Sequence, residues 1–281
     1  MPRLCILTPD PAYHENWQPM ADQFRALFGT ALCFRPWTDA GDLSAFDLVL
    51  PLLAWGYQRQ ADAWYAALDR WAGDDIAFAN PISVLRWNTD KRYLAGLEAA
   101  GVAIVPTQFT AALSPDDLAK AQVALGAGPL VVKPAISGGA DGTYRLGPTD
   151  PLPAAVQGQA MLIQPMMPAI IAEGEYSLFY FGGRLSHAIL KTPAAGDFRV
   201  QEQFGGREQA VIAPPSACQL AEAALAAAPA LPLYARVGMV RDMTGQFRLM
   251  ELEVIEPALF LSFAPDQGQA FAKAVMAAVR A

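Results

Sequence analysis

Apolar and polar positions follow two rhythms along the chain. Short apolar runs at residues 4–7, 31–34 and 46–50 predict buried strands. Between them, segments 16–28 and 58–71 carry helical spacing, with Trp64, Leu68 and Trp71 on one stripe. This alternation predicts a small three-layer unit on a mostly parallel sheet, ending at the turn dipeptide Asn80-Pro81. Beyond it, Thr89 or Asp90 is expected to cap a helix that runs to Ala100 and stops at Gly101, with a strand at 102–105. Ser114-Pro115-Asp116-Asp117 opens another helix with a capping hydroxyl, an early proline and first-turn acids. Strands are expected at 130–134, 144–146 and 161–165, and a hairpin at 176–190 turning on Gly182-Gly183. A helix at 216–228, paired strands at 234–240 and 247–254, and a helix at 267–279 complete the pattern. The fold class is α/β, shading to α+β in the C-terminal half, with divisions at 1–81, 82–166 and 167–281.

Composition narrows the function classes. With 281 residues, 53% of them hydrophobic and 17% charged, the chain can bury a sizeable core. A net charge of -7 without a Lys/Arg-rich run argues against nucleic acid or an anionic membrane as partner. Cys5, Cys33 and Cys218 are odd in number and far apart, which favours a reducing compartment over a disulfide framework. His14 and His187 are too few for a His-rich zinc site. No window approaches a membrane span, and the apolar run at 4–7 is too short for a signal peptide, so a cytoplasmic protein is expected.

The chemistry concentrates in two stretches. From Gly245 to Pro257 apolar and charged residues alternate, placing Glu251 and Glu253 on one strand face with Met250, Leu252 and Val254 on the other. Adjacent carboxylates repel unless one is protonated or a cation sits between them, and Mg²⁺ shared with phosphate oxygens meets that need. A solvated strand face accounts for the same alternation. Lys133 ends a buried run and precedes the loop Ser137-Gly138-Gly139-Ala140-Asp141-Gly142, where backbone N–H groups can approach phosphate oxygens. The Gly-Lys-Ser/Thr ending of a Walker loop is missing, and a hairpin turn with a snorkelling lysine remains an alternative.

The ordered set Asn88-Thr89-Asp90-Lys91, Val131-Val132-Lys133-Pro134 with its glycine loop, Ile163-Gln164-Pro165-Met166-Met167, Gly174-Glu175, Gly196 to Gly206 and Met250-Glu251-Leu252-Glu253 resembles the ATP-grasp superfamily, in its glutathione-synthetase-like branch. The likeness runs from about residue 80 to 261 and implies an ATP-grasp fold behind an N-terminal pre-ATP-grasp domain. Arg86 to Leu94 and Leu249 to Pro257 are similar to the O-ureido-serine cyclo-ligases of cycloserine biosynthesis.

The resemblance implies an ADP-forming ligase that uses ATP and Mg²⁺, with Mn²⁺ as a substitute, on a small amino-acid-like carboxylate. It implies that Lys91, Lys133 and the loop bearing Ser137, Gly138 and Gly139 bind phosphates, with Lys191 as a further candidate. Gln164 and the backbone of Met166 and Met167 would hold adenine, and Glu175 the ribose. Arg236 would face the transferred phosphoryl, Arg199 and more weakly Arg207 the substrate, and Glu251 and Glu253 the metal. A homodimer is left open. Two departures stand out. Gly238 occupies the position where many members have a metal-binding Asp, and the run Leu52 to Tyr57 is less polar than in the cyclo-ligases. Ring closure, condensation of two substrates, and nucleotide binding with impaired turnover are therefore all carried forward.

Overall fold

A computed structural model describes residues 2–126 and 128–279. The first unit is built on β1 (Leu4–Thr8), α1 (Gln18–Phe28), β2 (Leu32–Pro36), β3 (Leu48–Leu50) and α2 (Ala61–Gly73). Its strands form a parallel sheet in the order β2-β1-β3. Cys5, Leu7 and Val49 turn towards Trp64, Leu68 and Trp71 of α2, whereas Leu4, Ile6 and Leu50 face Phe24 of α1. The predicted three layers thus arise because every β1 side chain is buried, alternating between the two sides.

The next stretch contains α3 (Ile82–Thr89), α4 (Tyr93–Ala99), β4 (Gln108–Thr110), α5 (Pro115–Leu125), β5 (Leu130–Pro134), β6 (Tyr144–Leu146) and β7 (Met161–Pro165). Its strands form an antiparallel sheet in the order β4-β7-β5-β6. Ser114 and Asp117 close the predicted capping box at α5.

The third stretch contains α6 (Ala169–Ala172), β8 (Glu175–Phe181), β9 (Arg184–Thr192), β10 (Arg207–Val211), α7 (Pro215–Ala226), β11 (Tyr234–Arg241), β12 (Phe247–Glu253) and α8 (Gln269–Ala278). Five antiparallel strands run in the order β10-β9-β8-β11-β12. Gly182 and Gly183, both at positive φ, make the predicted two-residue hairpin turn. One face of this sheet packs Leu178, Val237, Leu249 and Leu252 against α4 and α7. On the other face, Phe179, Phe181 and Ile189 meet the first unit and Phe271 of α8, so the end of the chain closes the core that its beginning opens.

Several expectations need correction. Residues 82–89 already form a helix, and neither Thr89 nor Asp90 caps α4. The Thr89 hydroxyl donates to the Leu85 carbonyl and accepts from Trp64 Nε1, while Asp90 accepts from the Arg92 N–H. Residues 102–105 form no named strand; Ile104 only bridges Leu249. β4 and β10 were not expected, having no apolar run to announce them.

The alternation along 247–254 also breaks. Gly238 pairs with Glu251 but Met239 with Leu249, so Met250 is the extra residue of a β-bulge. It turns away from Leu252 and Val254 and packs beside Met167, Ile170 and Val240. The bulge is why Leu249 and Leu252 can share one core although their numbers differ in parity.

Candidate active site

The described residues enclose a cavity of about 1440 Å³ to which all three sheets or their connecting segments contribute. Its floor is one end of the five-stranded sheet. Cross-strand register places Arg236 opposite Glu253, Gly238 opposite both Glu251 and Ser177, and Glu175 opposite Lys191. Gly174 permits the start of β8, since at φ 123° a Cβ there would lie 2.5 Å from the Lys191 carbonyl oxygen.

Charges on this floor are closely interlocked. Arg236 donates to Glu251 across 3.4 Å and to Glu253, Lys91 lies 3.5 Å from Glu251, and Lys191 lies 2.8 Å from Glu175. Burial opposes ionisation of Glu251, yet Lys91, Arg236 and Lys133 hold it well below the usual carboxylate range. Burial, with the neighbouring Glu251 charge, pushes Glu253 well above that range. The pair therefore favours one proton and one full charge, shared around the Arg236 guanidinium that touches both.

The strand that carries these glutamates lies at the edge of its sheet, and its outer polar groups are met by side chains. The Tyr93 hydroxyl donates to the Leu252 carbonyl at 3.0 Å and accepts from the Leu252 N–H at 2.8 Å. Asn88 donates to Leu252 and accepts from Val254, and Asn80 donates to the carbonyls of Val254 and Tyr234. The Asn88-to-Tyr93 stretch thus reaches the site twice: Lys91 supplies charge, while its neighbours fix the carboxylate strand.

Lys133 lines the cavity without an ion-pair partner among the described residues. Burial and the Lys91 charge push its ammonium down to about 8. The loop after it is tied to other parts of the cavity lining: Gln203 donates to the Gly139 carbonyl, and Arg59 lies 3.4 Å from Asp141. Beside it lies an apolar slot of Val105, Val131, Met167, Ile170 and Met250, where Gln164 is anchored through its amide nitrogen to Thr107 at 2.8 Å.

Lys91, Lys133, Ser137, Gly138, Gly139, Gln164, Met167, Glu175, Lys191, Arg199, Arg236, Glu251 and Glu253 all line this one cavity. Met166 does not, and its N–H is taken by the Pro129 carbonyl. Arg207 is exposed outside the lining, because alternation on β10 turns its neighbour Glu208 inward instead. Arg199 is clamped by Asp197 at 2.8 Å and stacks over Phe204 at 3.6 Å. Sequence reasoning missed Asn88 and Tyr93 as supports, Met250 as a lining residue, and Glu256. Burial pushes the Glu256 carboxyl up to about 7 against the pull of Lys91 and Arg236. Trp55, Gly56 and Tyr57 line the same cavity, and Tyr57 also packs in the core.

Glu251 and Glu253 fit a Mg²⁺ ion held jointly with phosphate oxygens, which needs only one or two protein carboxylates. They do not make an all-protein cage, since no group of three or more His, Cys, Asp or Glu side chains suited to a metal occurs among the described residues. The apolar slot and the lysines Lys91 and Lys133 line one cavity, and together they would suit a nucleotide, the slot its base and the lysines its phosphates.

A relative from Streptomyces lavendulae, cycloserine biosynthesis protein DcsG, is 33% identical over 268 residues, covering 85% of this chain and 86% of that protein. The chain belongs to the DcsG family. The family described as D-cycloserine synthetase DcsG, N-terminal domain, matches residues 4–80. A crystal structure of D-cycloserine synthetase DcsG superposes with a TM-score of 0.82 at 28% identity, covering 98% of this chain and 99% of that one. The ATP-grasp ligase PsnB, complexed with minimal precursor, Mg and ADP, gives 0.66 at 16% identity over 99% of this chain and 98% of that one, a likeness of fold alone. This DcsG-family chain is an ATP-dependent ligase of the ATP-grasp fold. None of its described helices is long and apolar enough to cross a membrane.

Proposed function

We propose that this ligase activates the carboxylate of a small amino-acid-like substrate as an acyl-phosphate and closes a C–N bond within the same molecule. The observation that carries the reading is the convergence of Lys91, Lys133 and Arg236 on the Glu251–Glu253 pair at the inner end of one cavity. Mg²⁺ would be held by Glu251 and Glu253 and would neutralise phosphate oxygens, with Mn²⁺ as its substitute. Lys91 and Lys133 orient the phosphates, and Arg236 faces the oxygens on which charge develops. A substrate carboxylate oxygen takes the γ-phosphoryl group and ADP departs. The amine-type nitrogen then attacks the acyl carbon, loses a proton, and phosphate leaves with the bonding electrons.

The relative's role in cycloserine biosynthesis supports ring closure, and O-ureido-serine is the first substrate to offer. The experiment is ADP release over a panel of amino-acid carboxylates, hydroxamates and ureido acids, with mass spectrometry of the products. Loss of the elements of water from one substrate supports ring closure, and a mass joining two substrates supports condensation. No ADP release with any member defeats both.

Gly238 motivates a second reading, a nucleotide-binding protein with impaired turnover. A Cβ at Gly238 would lie 3.2 Å from Glu251 Cγ and 3.4 Å from Glu175 Oε1, so Gly238→Asp would set a third carboxylate against two others. The expected result is that wild type turns over with Mg²⁺ and the variant reaches half-maximal rate at about tenfold lower Mg²⁺. Turnover in the variant alone would establish the second reading.

Lys133 gives a pH prediction. Its ammonium sits near pKa 8 before phosphates arrive, so above that pH binding must take up a proton. ATP affinity is expected to fall by about tenfold per pH unit above pH 8 in wild type, and this dependence should vanish in Lys133→Met. Calorimetry in buffers of different ionisation enthalpy reads the uptake directly, and none at pH 9 would refute it.

A further inference from the structure

The geometry points to Glu256 as the group that holds the ammonium of an amino-acid substrate, an assignment that rests on the amino-acid-ligase reading above. On the cavity floor the glutamates come with cations: Glu251 with Lys91 and Arg236, Glu253 with Arg236, Glu175 with Lys191. Glu256 lies three residues beyond Glu253 and lines the same cavity, yet has no side-chain hydrogen bond or ion pair among the described residues. Its backbone is not loose. Asn80 donates to the Val254 carbonyl at 2.8 Å, and the Tyr234 hydroxyl donates to the Ile255 carbonyl at 2.8 Å.

Glu256 is a partly buried carboxylate with no ion pair of its own, the cations that act on it, Lys91 and Arg236, being engaged by Glu251 and Glu253, so a ligand that brings a cation relieves the cost of its burial. Tyr13, Trp55, Tyr57 and Phe260 line the cavity with it, and aromatic faces favour a cation over an anion. An α-amino acid supplies such a cation: its ammonium, one carbon from its carboxylate, would meet Glu256 while the carboxylate faces the cations that line the same cavity.

The test is calorimetric binding of alanine, serine and O-ureido-serine, each as both enantiomers and as the des-amino acid, to wild type and Glu256→Gln with ADP and Mg²⁺ present. At least one free amino acid is expected to bind wild type about tenfold or more tighter than its des-amino form, and Glu256→Gln to reduce that difference to about twofold. ADP affinity should stay unchanged, the thermal midpoint should not fall, and Glu256→Asp should restore part of the preference. Equal binding of amino and des-amino forms by wild type, an undiminished preference in the glutamine variant, or no binding by any amino acid while ADP binds overturns the assignment. ADP release that fails with an amino acid held through Glu256 overturns the ligase chemistry instead and leaves the subsite standing.

Discussion

Glu251→Gln is expected to lower ADP release by about a thousandfold or more with the fold intact, because it removes one charge and no volume. Glu251 is the carboxylate on which the site's cations converge, 3.5 Å from Lys91 and 3.4 Å from Arg236. Those cations hold it ionised, so the amide loses a full negative charge rather than a shared proton. A hard divalent ion then has Glu253 as its remaining carboxylate, and the lysines face the phosphates without a fixed anion to place them. Coupled-enzyme ADP release against Mg²⁺ concentration, beside a thermal melt, checks this. A rate within about tenfold of wild type at saturating Mg²⁺ would remove Glu251 from the metal assignment.

The largest effect on stability is expected at Asn80. Its amide nitrogen donates to the carbonyls of Tyr234 and Val254, and its oxygen accepts from the N–H groups of Leu233 and Tyr234. The side chain is fully buried, and it lies where the first unit meets the sheet that carries the site. Asn80→Ala would strand these backbone groups where water cannot replace the lost partner. The expected cost is about 3–5 kcal/mol, above the usual range for a point substitution because several groups lose their partner together. Urea unfolding reads it as a lower midpoint at unchanged slope. A loss under about 1 kcal/mol would show that the strand ends find other partners.

Elements with their own periodicity were legible in the sequence. The runs at 4–7 and 130–134, the capping box at Ser114 and the Gly182-Gly183 turn each encode their structure locally, and each appears in place. The order of motifs that resemble the ATP-grasp superfamily also picked out candidate residues of which most line one cavity. Met250 was misplaced because a bulge is a property of two paired strands, and one strand's alternation carries no sign of its partner's register. Asn88 and Tyr93 read as parts of a motif, but their hydrogen bonds run to residues more than 150 positions away.

By itself the sequence determined most of the kinds of element, the pairing of Glu251 with Glu253 on one face, and the charged and glycine-rich character of the candidate site, since these depend on short-range backbone geometry and residue type. Tertiary structure alone decided which charges neutralise one another, that Lys133 and Glu256 form no ion pair among the described residues, that Met166 and Arg207 lie outside the cavity, and that the edge of β12 is closed by Asn80, Asn88 and Tyr93. Those outcomes depend on distance through space and on exclusion of water, and both exist only once the three sheets are brought together.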